Sequence, residues 1–113
     1  MSPARGKGTA FETLIVRYLQ SKGWIHAERR ALHGNLDKGD ITGTGPLVWE
    51  CKYHKTLDLS GWLRETEQER QNANATHGIL IVKRRSYGEP GDQYAVMRLS
   101  DMVELLKEAG YGA

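Results

Sequence analysis

The stretch Gly39–Lys52 reads GDITGTGPLVWECK. Gly39–Thr42 is a short β-prone piece, and Leu47–Tyr53 is a longer one in which Trp49 and Tyr53 favour a strand. Between them GTGP, Gly43–Pro46, is turn composition and folds the first piece back beside the second. Side chains alternate along a strand. Val48, Glu50 and Lys52 therefore share one face, and Leu47, Trp49, Cys51 and Tyr53 take the other. The second set is apolar and should pack on a helix. The first ends in charges. Counting outward from the turn puts Asp40 opposite Trp49 or Glu50, and a one-residue bulge would set it against Glu50. Two carboxylates held this close raise each other's pKa. A divalent cation resolves that conflict, because Mg2+ takes oxygen ligands and commonly uses one or two carboxylates with phosphate and water. A lysine beside them can orient or deprotonate a water, or stabilise charge on a phosphate. Metal-assisted phosphodiester hydrolysis needs this set of parts.

Outward from the hairpin, the chain reads as a mixed sheet flanked by helices in the order α-β-β-β-α-β-β-α. MSPARGKG, residues 1–8, reads as a basic flexible tail before a single domain over 9–113. Thr9 is a good N-cap, and Glu12 falls three positions later as in a capping box. Phe11, Ile15 and Leu19 then form an apolar helical stripe, Gly23 stops the helix, and Glu12 sits at the margin of the buried arc. Trp24–Ala31 reads as a strand. Ser60–Ala75 is helix-compatible but unusually polar, with Trp62, Leu63 and Ala73 as its few apolar positions. GILIVKR, from Gly78, is a continuous apolar run expected as a central strand buried on both faces. Tyr94–Arg98 is a further strand. Ser100 is expected to cap a last helix that Gly110 ends.

Composition narrows the function. The 113 residues are 39% hydrophobic and 27% charged, which is an ordinary globular balance. The net charge of +2 is mildly basic and compatible with nucleic acid. Cys51 is the only cysteine, which rules out an internal disulfide and favours a reducing, cytosolic setting. No apolar run approaches the ~20 residues a membrane span needs. His26, His33, His54 and His77 are scattered, with no HExxH or zinc-finger spacing, and neither a phosphate-binding GxxxxGK[ST] loop nor a GxSxG elbow occurs.

Asp40, about ten residues, then Glu50-x-Lys52 across a β-hairpin resembles the PD-(D/E)XK nuclease superfamily, with Gly39 where that family often has proline. GKGTAFE, Gly6–Glu12, is similar to the N-terminal helix of cellular Holliday-junction resolvases, in which a helix glutamate completes the metal site. RRALHGNLDKGDITG followed by ECK also resembles the small resolvase-type endonucleases of actinobacterial phages. The resemblance implies a restriction-endonuclease-like fold. It also implies a Mg2+-dependent DNA endonuclease, with Mn2+ as a substitute, in the cytoplasm of a bacterial or phage-infected cell. Asp40 and Glu50 would ligate the metal with the Cys51 carbonyl, and Glu12 would bind it directly or through water. Lys52 completes the catalytic set. Such resolvases are usually homodimers acting on branched DNA, such as a four-way junction.

Each residue also has a plainer reading. Asp40 could be a turn residue, Glu50 and Lys52 an exposed charge pattern, and Glu12 only a cap. A restriction-type or flap/single-strand nuclease, or a non-catalytic nuclease-like DNA-binding module, would share much of the sequence. Arg5, Lys7, Arg29, Arg30, Lys38, Lys55, Lys83, Arg84 and Arg85 are candidate DNA contacts, though such residues usually solvate a surface. His33 and His54 read as surface or phosphate contacts, and Trp24, Trp49 and Trp62 as core or interface. Cys51 reads as a packed side chain facing away from the active pair.

Overall fold

A computed structural model describes residues 3–31 and 34–113, with side chains from Gly6 onward in the first helix. The side chain of Arg5, and His33, lie outside the described residues. The elements are α1 (Pro3–Ser21), β1 (Glu28–Arg29), β2 (Ile41–Thr42), β3 (Leu47–Lys52), α2 (Leu59–Asn72), β4 (His77–Val82), β5 (Tyr94–Val96) and α3 (Leu99–Glu108). The expected α/β order is therefore the observed one. The five strands form one mixed sheet in sequence order. β3 and β4 are parallel, joined by the crossover helix α2, and the other neighbours are antiparallel.

Two apolar layers hold the sheet. Phe11, Ile15, Val16 and Leu19 of α1 pack with Ile41, Trp49, Ile79 and Ile81, and Leu47 and Cys51 join them. On the opposite face Trp62 of α2 packs with Leu80 and Val82. β4 is thus buried on both sides, as its unbroken apolar run requires. The β3–β4 register pairs Glu50 with Leu80 and Lys52 with Val82. Paired residues share a face, so the charged row of β3 lies on the α2 side.

Several boundaries differ from expectation. α1 begins at Pro3, so residues 3–8 are its first turns rather than a tail, and Thr9 is an interior residue rather than a cap. Proline suits a first turn, where its missing N–H is not needed. β1 is only two residues long, because Trp24–Ala27 turns, with the Ala27 N–H donating to the Trp24 carbonyl at 3.0 Å. α2 is capped by Asp58, whose carboxylate accepts from the Gly61 N–H at 3.0 Å. Ser100 lies inside α3, whose cap position is Arg98. Among the described residues no helix is long and apolar enough to cross a membrane.

Candidate active site

The hairpin places Asp40 beside Glu50 through backbone geometry. Ile41 is the register partner of Trp49, yet the Asp40 N–H also donates to the Trp49 carbonyl at 2.7 Å. Two residues of one strand thus face one of the other, the count of a bulge. Gly39 makes this possible. Its φ is +94°, and a Cβ there would stand 2.9 Å from both the Trp49 carbonyl oxygen and Val48 Cγ1. Proline, with φ near −65°, has no place in this backbone, which accounts for glycine at that position.

β2 begins only at Ile41, opposite Trp49, so the last residues of β3 have no strand beside them on that side. The Asp40 carboxylate takes the place of a strand, accepting from the Cys51 N–H at 2.7 Å. Glu12, Asp40, Glu50 and Lys52 line a single cleft of about 420 Å³, with Cys51, Lys7, Tyr53, His54 and Lys55 around them. The four residues expected to act together are therefore brought together, from α1, the β2 approach and β3.

The electrostatics are those of crowded acids. Burial, then the neighbouring Glu50, pushes Asp40 up to about 8. Burial likewise carries Glu50 up to about 8, with Glu69 adding to it and a hydrogen bond with Asp40 opposing it. Glu12 is raised by burial and by the charge of Asp40, against the pull of Arg29, whose Nε donates to Glu12 Oε1 at 3.0 Å. That ion pair replaces the expected capping box. Burial alone would lower Lys52, but its 2.8 Å contact with Glu65 of α2 and the field of Glu50 raise it. The Cys51 side chain packs toward α1, and burial pushes its thiol up, so it is no nucleophile at neutral pH.

These carboxyls predict a pH dependence. Asp40, Glu50 and Glu69 start near 4 in the unfolded chain and reach about 8 when folded. Between those values the folded protein holds protons that the unfolded chain has released. This stability is complete below pH 4 and is lost as pH rises through 8. In EDTA, Tm should drop by on the order of 5–10 °C from pH 5 to pH 9, and Glu50→Gln should flatten the curve. A thermal melt series that stays level in the unsubstituted chain would contradict the assignment.

The basic residues divide into two groups. Lys7, Lys55, Lys83 and Arg85, with His54, line a hollow continuous with the cleft. Tyr53 forms its floor, with Lys7 Nζ 4.0 Å and Lys83 Nζ 5.4 Å from its ring centre. Arg84 stacks on Tyr87 at 3.6 Å. Arg29, Arg30 and Lys38 instead line a separate hollow beside β1 with Glu28, and Arg29 is committed to Glu12.

Three further acids escaped sequence reading. Glu65 holds Lys52, Glu69 is buried on α2, and Asp37 approaches from the loop before β2. A signal for Glu69 exists: Trp62, Thr66 and Glu69 are spaced four and three, one stripe of a helix, and all three are buried against the sheet. The polar α2 is thus a packing element along this stripe. No protein-family model, curated protein or solved structure matches the chain.

Proposed function

We propose that this protein is a Mg2+-dependent endonuclease that hydrolyses phosphodiester bonds in DNA, with branched DNA as its substrate class. The observation that carries the reading is the cleft itself: Glu12, Asp40, Glu50 and Lys52 meet there, and a lysine- and arginine-lined hollow continues from it. Among the described residues neither Asp40 nor Glu50 has a salt-bridge partner, since Lys52 pairs with Glu65. An all-oxygen donor set in which Asp40 and Glu50 have no cationic partner fits a hard divalent cation. Asp40 and Glu50 would hold it, with the Cys51 carbonyl and Glu12 as further ligands. The cation would supply Lewis-acid polarisation of a phosphoryl oxygen and a more acidic water.

The chain's own residues do the rest. Lys52 presents a charged ammonium to the phosphate and stabilises the negative charge that builds there. Glu65 keeps that ammonium in place and protonated. Lys7, Lys55, Lys83 and Arg85 track the phosphate backbone, a sequence-independent contribution that weakens steeply with salt. Tyr53 lies under both Lys7 and Lys83, and its ring helps hold these two ammonium groups at the hollow. The branched-DNA preference and a homodimer follow from the resemblance. Leu99, Val103 and Leu106, exposed along one stripe of α3, supply an apolar face that suits a second copy.

The test is cleavage of four-way junction, flap, linear duplex and single-stranded DNA at one salt concentration, with Mg2+ or Mn2+. Preferred cutting of the junction is expected. No cutting of any substrate would overturn the nuclease reading in favour of a non-catalytic binding module, and preferred cutting of another substrate would move it to a restriction-type or flap enzyme. Glu65→Gln should lower kcat roughly tenfold, with DNA affinity little changed. It should also shift the alkaline limb of the rate profile to lower pH, because Lys52 loses the partner that raises it. An unmoved profile would remove Glu65 from the mechanism.

A further inference from the structure

On the α2 side of Glu50 lies a second group of acids. One carboxylate oxygen each from Asp37, Glu50 and Glu69 falls within 4.8 Å of the other two. Glu50 and Glu69 are 5% and 2% exposed, while Asp37 reaches the surface. Buried acids this close need protons, a cationic side chain or an ion. Among the described residues none of the three makes a salt bridge. Glu69 Oε1 is moreover fully buried and has no hydrogen-bond partner. An orphaned oxygen on a buried carboxyl is rare and calls for an unseen partner.

The surroundings hold this group in place. Glu69 cannot swing away, because α2 presents it on the same stripe as Trp62 and Thr66. The Asp37 loop is tied down at both ends of the contact: Asn72 Nδ2 donates to the Asp37 carbonyl at 2.8 Å, and Asp37 Oδ1 accepts from the Gly39 N–H at 2.9 Å. Neither Asp37 nor Glu69 lines the cleft that contains Glu12 and Lys52.

We propose that Asp37, Glu50 and Glu69 form a binding site for a hard divalent cation, distinct from the cleft and sharing only Glu50 with it. Three carboxylates and no nitrogen or sulfur donor select Mg2+, Mn2+ or Ca2+ over softer metals. Exposed Asp37 leaves a route in from solvent. A cation here would lock Glu50 between the loop, β3 and α2. The site needs no nuclease chemistry and stands whether or not the chain cleaves DNA.

The test is Mn2+ binding to the full chain, by equilibrium dialysis and electron paramagnetic resonance, for the unsubstituted protein, Glu69→Gln, Asp37→Asn and Asp40→Asn. Glu69→Gln and Asp37→Asn should each bind one Mn2+ per chain fewer than the unsubstituted protein, while Asp40→Asn keeps the ion that those two lose. Ca2+ should raise Tm in the unsubstituted protein and in Asp40→Asn, but not in Glu69→Gln. Asp37 is on a surface loop, so its variant reports even if Glu69→Gln folds poorly. The same Mn2+ stoichiometry and affinity in Glu69→Gln and Asp37→Asn as in the unsubstituted protein would overturn the site. Absence of DNA cleavage with the Glu69-dependent ion still present would overturn the nuclease reading alone.

Discussion

Asp40→Asn is expected to lower Mg2+-dependent DNA cleavage by at least about 10³-fold while leaving DNA affinity within about threefold. Asparagine keeps the shape of aspartate and can still accept from the Cys51 N–H, the 2.7 Å bond that stands in for a missing strand. What it removes is the charge beside Glu50. The fold should therefore tolerate the change. Metal-free Asp40→Asn should in fact melt higher at pH 8, because two buried carboxyls, both pushed up to about 8, no longer compete for protons. A gain in stability when a buried charge is removed is what charges kept for chemistry rather than for folding would give. Single-turnover cleavage with Mg2+, DNA binding in EDTA and thermal melts measure the three quantities. Cleavage within tenfold of the unsubstituted chain would take Asp40 out of the reaction.

Gly39→Ala should cost about 2–4 kcal/mol, on the order of 10–20 °C in Tm. It should also lose cleavage at temperatures where the variant is still folded. At φ +94° the new Cβ would press on the Trp49 carbonyl oxygen and on Val48, both 2.9 Å away. The Trp49 carbonyl is the acceptor that sets the Asp40 main chain. Both the obstructing atom and the Val48 side chain lie in the packed sheet, so neither can yield cheaply. Gly45 is the control. It also has positive φ, +68°, but a Cβ there meets nothing within 4 Å. Gly45→Ala should cost about 1 kcal/mol, the backbone penalty alone. Equal losses at the two positions, read from denaturant melts, would show that left-handed backbone rather than the contact with Trp49 is what matters at Gly39.

The hairpin was legible because its information is local. Alternation at period two placed Glu50 and Lys52 on one face and Trp49 and Cys51 on the other, and the GTGP turn set Asp40 within reach of Glu50. Helical periodicity likewise put Phe11, Ile15 and Leu19 in the core and Glu12 at its margin, where the structure has them. Other features depart from what local spacing implies. The start of α1 was displaced because Thr9 followed by Glu12 imitates a helix start, whereas the chain is already helical from Pro3. The strand expected from Trp24 to Ala31 shrank to two residues, since its apolar residues Trp24 and Ile25 stay exposed rather than entering the sheet.

The acids of α2 show where local information ends. A helix with few apolar residues looks solvated from its composition, and nothing along the chain says which of its faces a sheet will cover. Once β3, α2 and β4 pack as a parallel crossover, the stripe of Trp62, Thr66 and Glu69 turns inward and Glu65 reaches Lys52. The α/β order and the hairpin that presents Asp40, Glu50 and Lys52 follow from the residues alone, because strand alternation and turn chemistry act between residues close along the chain. Packing is what brings Glu12 to the same cleft as Asp40, sets Glu65 on Lys52 and buries Glu69 near Glu50. Those are meetings between residues 13 to 28 positions apart on different elements, and the packing of α1 and α2 on opposite faces of one sheet creates them.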